Sequence, residues 1–159
     1  MPAVFRILDD TEFRIENDLL LTNVIAYELV GVGEFRHADE IRRAVREEET
    51  AVTDVDADSL RMVLRAFDHA RARGLLDDDA NRLRDALVTR FVPSPTYELF
   101  DDGGTKIRDW HSTSGPYVAN ERLVTGPEEL WLVVSARHSD DDETGVLVVK
   151  PYPSGERRL

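Results

Sequence analysis

The segment that decides the fold class is residues 59–91, SLRMVLRAFDHARARGLLDDDANRLRDALVTRF. In its first half, apolar side chains recur at Leu60, Leu64 and Phe67, which is the spacing of one helix face, and Gly74 ends the run. The second half repeats this pattern after three aspartates, a residue type that stabilises a helix N-terminus. The segment therefore predicts an antiparallel pair of helices.

Two further helices are predicted upstream of this pair. Residues 19–30 form a strongly apolar run, and its length and the glycines that follow it favour a helix over a strand. Residues 37–48 place Ala38, Ile41 and Val45 on one face, with acidic residues in the first turn. Residues 1–92 are therefore expected to form a mainly helical part.

The N-terminus carries two similar short segments with Phe-Arg-Ile at their centres, residues 4–8 and 11–16. Two aspartates between them are good turn residues, so a β-hairpin is predicted here, with a helix from Thr11 as the alternative.

The pattern changes after the Pro-Ser-Pro sequence at residues 93–95. Short runs of strand-forming residues then alternate with turn residues, and the strand candidates are residues 97–99, 106–110, 130–134 and 146–149. The last two runs are continuously apolar and predict a hairpin that is buried on both faces or covered by helices. Residues 111–128 are expected to be a loop.

These elements together predict an α+β fold. A small helical bundle forms the N-terminal half, and antiparallel β-hairpins form the C-terminal half, residues 96–152. The length of 159 residues fits a single domain, and residues 153–159 are expected to form a loose tail.

The charge balance is strongly acidic. Asp and Glu number 32 against 20 Lys and Arg, which gives a formal net charge of −12, and only Lys106 and Lys150 are lysine. In ordinary buffer such a charge repels itself, whereas in molar salt the Debye length falls to about 3 Å and the repulsion is screened. The composition therefore predicts a halophilic protein from an archaeal cell or its virus, with a GC-rich genome as the alternative explanation.

Composition also excludes several classes of protein. The chain has no cysteine, so disulfides, thiolate chemistry and cysteine-type zinc sites are excluded. The N-terminal residues do not have the pattern of a secretory signal, and no apolar stretch is long enough for a membrane span. The expected location is the cytoplasm, or a particle assembled there, and no cofactor is predicted.

Two sets of polar residues resemble metal sites. Asp54, Asp56 and Asp58 alternate as in a calcium loop, but Ser59 and Arg65 stand where that loop needs glycine and glutamate. A helix cap at Asp56 or Asp58 explains this segment better. Glu34, His37 and Glu40 recur every three residues, and we interpret them as charged helix surface, with Glu34 outside the helix. No metal site is predicted.

The segment from Asp109 to Gly115 combines an acid, an imidazole and hydroxyls, yet adjacency in sequence is no evidence for a catalytic triad. Tryptophan and tyrosine are enriched at binding hot spots. The predicted interaction residues are therefore Trp110, His111, Tyr117 and Trp131, with the aromatic residues of the 110–117 loop expected to be exposed. No catalytic residue is predicted.

Three functions remain open. The leading one is a non-catalytic structural or adaptor protein that contacts other protein subunits, as an oligomer or in a hetero-assembly such as a virion. A winged-helix regulator is the second, with Arg82, Arg84 and Arg90 on the DNA-binding helix, although the acidic residues around them disfavour nucleic acid. A small hydrolase or isomerase using Asp109 and His111 is the third.

Overall fold

The structure is a computed structural model that describes residues 3–7, 11–56, 58–88 and 95–153. The chain divides into two compact units, Met1–Arg90 and Phe91–Leu159. Helices and strands share the first unit, and the described part of the second unit is built on strands, so the predicted α+β class is confirmed. The single-domain organisation stays a prediction.

The first unit combines a sheet with helices. Its described elements are β1 (Ala3–Ile7), β2 (Thr11–Ile15), α1 (Asp18–Leu20), a π-helical turn (Leu21–Ile25), α2 (Ala26–Gly31), α3 (Phe35–Arg46), β3 (Ala51–Val55), α4 (Leu60–Ala72) and α5 (Asp78–Val88). The predicted helices are all present, and the run from α1 to α2 replaces the helix predicted at 19–30. Residues 89–91, the predicted end of α5, lie outside the described residues.

The sheet of the first unit has the order β2-β1-β3. Strands β1 and β2 are antiparallel with Phe5 opposite Phe13, which confirms the predicted N-terminal hairpin. Strand β3 pairs with β1 in parallel, and no strand was predicted there. The expectation of a simple helical bundle is therefore wrong. Phe5 on the sheet and Phe67 on α4 meet edge to face, with ring centroids 5.7 Å apart, in the core.

The second unit is a five-stranded sheet in the order β5-β4-β8-β7-β6. Its strands are β4 (Thr96–Asp101), β5 (Lys106–His111), β6 (Arg122–Gly126), β7 (Glu129–His138) and β8 (Thr144–Pro151). Antiparallel pairing of β7 with β8 confirms the predicted hairpin. Strand β4 pairs in parallel with β8, so the expectation of antiparallel hairpins throughout is wrong. Strand β6 lies in the segment predicted to be a loop.

The sheet curls around one apolar cluster. Its fully buried members are Tyr97, Leu99, Tyr117, Leu123, Val133, Leu147 and Val149. Arg108 on one edge strand, β5, donates a 3.0 Å hydrogen bond to the carbonyl oxygen of Thr125 on the other edge strand, β6. The core lies on one side of the sheet, and on the other side Val134 of β7 is 42% exposed. The prediction that the last hairpin is buried on both faces or covered by helices is therefore wrong at Val134.

Within the described ranges, no helix is both long enough and apolar enough to cross a membrane.

Candidate functional site

Helix α3 is held against the first unit by its inner face. His37, Ala38, Ile41 and Ala44 are buried, and they recur at the spacing of one helix side. The Nε2 atom of His37 lies 3.0 Å from the carbonyl oxygen of Asp54 on β3. Because a carbonyl only accepts hydrogen bonds, Nε2 donates in this contact. The inner face therefore fixes the helix to the sheet and leaves its outer side free.

The outer side of α3 is rich in arginine. A shallow groove of about 620 Å³ lies between its side chains, which are those of Arg36, Asp39, Glu40, Arg42, Arg43 and Arg46. All four arginines and Asp39 are exposed. A helix turns by about 100° per residue, so these positions share one side of the helix. We call this set of six residues the arginine face.

The arginine face differs in charge from the chain as a whole. Four arginines against Asp39 and Glu40 leave it with a net charge of +2, whereas the whole chain carries −12. In the part of the chain that the structure describes, no ion pair engages Arg42, Arg43 or Arg46. An exposed guanidinium without an internal partner keeps its five donors for carboxylates or phosphates of another molecule.

The two ends of the helix limit what this face can bind. Phe35 begins α3 and is 60% exposed, which is unusual for a large aromatic side chain. Glu47, Glu48 and Glu49 follow the last turn and are exposed. The face is therefore positive in its second half, apolar at its start and flanked by carboxylates.

The predicted stripe of Glu34, His37 and Glu40 is only partly at the surface. Glu34 precedes the first helical residue, which confirms that it lies outside the helix. His37 is 1% exposed, so its interpretation as helix surface is wrong: the ring turns inward because Asp54 on β3 offers it a carbonyl. Among the residues that were described, no group of three or more His, Asp or Glu is placed to hold a metal ion.

The arginines of α5 are engaged within the chain. Arg84 Nε donates to Asp68 on α4 at 2.7 Å, and Arg82 pairs with Asp79. Burial alone lowers the pKa of the Arg84 guanidinium, but the hydrogen bonds and charges of Asp68 and Asp85 outweigh it and raise the pKa above its ordinary value. These contacts fit a salt-bridged helix better than a DNA-binding helix. Arg90 lies outside the described residues.

The calcium-like segment forms a turn into α4. The Asp56 carboxylate accepts hydrogen bonds from the backbone N–H of Ser59 at 2.9 Å and from its hydroxyl at 3.1 Å. These two bonds hold the pKa of Asp56 below its ordinary value. Asp56 therefore orders the turn before α4, whose N-cap residue is Ser59 and has no side-chain capping bond, so the cap predicted at Asp56 or Asp58 is not confirmed.

Most of the predicted interaction residues pack inside the second unit. Tyr117 is 0% exposed, and Trp110 lies partly buried against it with ring centroids 5.6 Å apart. Trp131 is also partly buried and donates from Nε1 to Thr125 Oγ1 at 2.8 Å. The expectation of exposed aromatic residues in the 110–117 loop is wrong for Tyr117, because the curled sheet takes that side chain into its core. Of the four residues, only His111 is exposed.

The residues of the enzyme hypothesis contact other partners. Lys106 donates a 2.9 Å hydrogen bond to Asp109 and a 3.1 Å hydrogen bond to Glu98, and these bonds raise the pKa of Lys106. His111 Nδ1 lies 3.0 Å from Thr96 Oγ1. Asp109 and His111 are both exposed on an edge strand, where water surrounds them. This arrangement orients neither residue toward the other.

A second histidine contact stabilises the sheet of the second unit. Tyr97 Oη lies 2.6 Å from His138 Nε2 and accepts a 2.9 Å hydrogen bond from the backbone N–H of Tyr117. Beside it, a Cβ atom on Gly145 would lie 2.6 Å from the Arg137 carbonyl oxygen and 2.7 Å from the Tyr97 ring. Glycine is therefore required where β8 passes over this buried tyrosine.

The arginine face was missed by sequence reasoning. The signal was present, because Arg36, Asp39, Arg43 and Arg46 recur at intervals of three and four residues. What the sequence does not reveal is that these arginines have no ion pair within the described chain while those of α5 do.

Comparison with protein-family models finds no match, and neither do comparisons with curated proteins and with solved structures.

Proposed function

We propose that this protein is a non-catalytic structural or adaptor protein that makes protein–protein contacts within a larger assembly, in the cytoplasm of a halophilic archaeon or in a virus of such a cell. The arginine face of α3 is its principal contact surface. The single observation that carries the proposal is a set of exposed arginines on α3 that no ion pair engages among the described residues, beside an exposed phenylalanine.

The chemistry of this face supports a protein partner. Arginine and aromatic residues are enriched in protein interfaces and dominate their binding energy. The planar guanidinium forms paired hydrogen bonds with a carboxylate, and a partner from the same salt-adapted proteome presents many carboxylates. Phe35 adds an apolar contact that high salt strengthens rather than weakens.

The same features disfavour nucleic acid. Asp39 and Glu40 lie among the arginines, and Glu47, Glu48 and Glu49 follow them, so a phosphate backbone along the helix would meet five carboxylates. Affinity for nucleic acid also falls steeply with salt because bound counterions are released. A surface that works in molar salt through phosphate contacts alone would need more arginines than these.

The proposal is tested by expressing the tagged chain in a halophilic archaeon and purifying it in about 2 M KCl, where long-range charge repulsion is screened. We expect other protein subunits to co-purify in fixed stoichiometry, as measured by quantitative mass spectrometry. The double variant Arg42→Asp/Arg46→Asp should lose them, because it reverses the charge at two exposed arginines that no ion pair engages within the described ranges.

The matched control is Arg82→Asp, which makes the same kind of charge reversal at an exposed arginine of α5. It should retain the co-purifying subunits. A wild-type chain that recovers no other subunit in stoichiometric amount, or a double variant that recovers all of them, contradicts the proposal.

A further inference from the structure

The charges of α3 follow an order that is complementary to itself. One line of positions along the helix, at spacings of four, three and four residues, carries Arg36, Glu40, Arg43 and Glu47 in that order. When a second copy of the helix runs in the opposite direction, the order is reversed. A positive position on one copy then faces a negative position on the other.

The alignment that follows has a twofold axis between Ile41 and Arg42. Glu40 of one copy then lies opposite Arg43 of the second copy, since the two positions are symmetric about the axis. Arg36 lies opposite Glu47 in the same way. Every pair occurs twice, because a twofold axis relates the two copies. Helix periodicity places Arg36, Arg43 and Glu47 on the same flank of the contact, so these partners are within reach of one another.

We propose that two copies of this chain form a symmetric dimer through antiparallel packing of their arginine faces. This inference rests on the proposed function, which makes the face a protein interface, and it names a second copy of the chain as a partner. Phe35 begins each helix, so each copy places an exposed aromatic ring near Arg46 of the other. The guanidinium plane of arginine stacks on such a ring.

High salt favours this dimer over separate chains. Two copies that each carry −12 repel one another, and in molar KCl that long-range repulsion is screened within about 3 Å. Hydrogen-bonded contacts between a guanidinium and a carboxylate are shorter than this screening distance and are screened less. The dimer is therefore expected to strengthen as KCl is added, whereas a complex with nucleic acid would weaken.

The test uses two single variants that each abolish the central pair. Glu40→Arg places arginine opposite Arg43 of the second copy, and Arg43→Asp places aspartate opposite Glu40. Each variant alone should be monomeric in about 2 M KCl, with the dissociation constant raised at least about tenfold. Mixed in equal amounts, the two variants should form a dimer, because both central pairs then join opposite charges.

Light scattering after size-exclusion chromatography measures the mass of each sample, and different tags on the two variants identify the mixed dimer. Arg82→Asp is the control, and it should dimerise like the wild type since it leaves α3 unchanged. The proposal is overturned if the wild type is monomeric at every concentration, if either single variant still dimerises like the wild type, or if the mixture stays monomeric.

These outcomes are separable from the fate of the proposed function. A monomeric wild type that still recovers other subunits through Arg42 and Arg46 would remove the symmetric dimer and leave the adaptor function in place. A wild type that dimerises but recovers no other subunit would remove the adaptor function and leave the symmetric dimer in place. Circular dichroism on each variant establishes that loss of the dimer does not come from loss of the fold.

Discussion

Helices α3 and α5 are both rich in arginine and acidic residues, but they use their arginines differently. On α5, Arg84 is 12% exposed and bonded to Asp68 of the neighbouring helix, so its charge is satisfied within the chain. On α3, Arg43 is exposed, and no ion pair engages it among the described residues. Similar composition therefore supports internal packing in one helix and leaves a surface for a partner in the other.

The difference follows from what each helix packs against. Helix α5 lies beside α4, which presents Asp68 to it, so a guanidinium can be paired while it is partly buried. Helix α3 turns His37 and its apolar residues toward β3 and places its arginines on the opposite side. The arginines of α3 are exposed to water. A partner that binds them does not have to break an ion pair within the described chain first.

The largest effect on stability is expected for Arg84→Ala. This change removes the 2.7 Å hydrogen bond that Arg84 Nε donates to the Asp68 carboxylate, which is 11% exposed, and the free energy of unfolding should fall by about 2 kcal/mol. Denaturant titration in high salt measures the change. Surface substitutions usually change stability by less than about 0.5 kcal/mol. A loss below that value would mean that Arg84 of α5 stabilises the fold no more than the exposed arginines of α3.

The matched change on the other helix is Arg43→Ala. It removes an exposed side chain that forms no ion pair with the residues that the structure describes, so the unfolding free energy of the monomer should change by less than about 0.5 kcal/mol. A loss as large as that of Arg84→Ala would contradict the difference between the two helices, because Arg43 would then stabilise the fold as Arg84 does.

A smaller effect is expected at the start of α5. The Asp77 carboxylate accepts a 2.9 Å hydrogen bond from the backbone N–H of Ala80, whereas the start of α3 has no such side-chain bond. Asp77→Ala should therefore cost about 1 kcal/mol of unfolding free energy. The control is Asp78→Ala, which removes the same charge from the same turn without that bond. Equal losses of unfolding free energy in the two variants would mean that the loss comes from the removed charge and not from the Asp77 hydrogen bond.

Local sequence patterns predicted the elements that depend on local contacts. The helices from α3 to α5 and the hairpin of β7 and β8 follow from periodicity and from turn residues. Strand β3 was missed because it pairs in parallel with β1, which lies more than forty residues earlier, and no local signal reports such a partner. Strand β6 was missed because glycine, proline and threonine dominate its surroundings.

The candidate site was predictable only in part. Tryptophan and tyrosine were expected at a contact surface, yet the curled sheet of the second unit uses Trp110 and Tyr117 to fill its core. An aromatic residue serves a core as well as an interface, so residue type alone does not separate the two. Whether an arginine is paired depends on which helix packs beside it, and that information lies in the tertiary structure.

The most direct test of the arginine face as a protein interface is the mass of the purified wild-type chain in about 2 M KCl, with Arg43→Asp measured beside it. We expect the wild type to approach twice the chain mass of 18.1 kDa as its concentration rises, and Arg43→Asp to stay at the mass of one chain. Equal masses for the two proteins, whether one chain or two, would contradict the assignment of this face as the contact surface between copies.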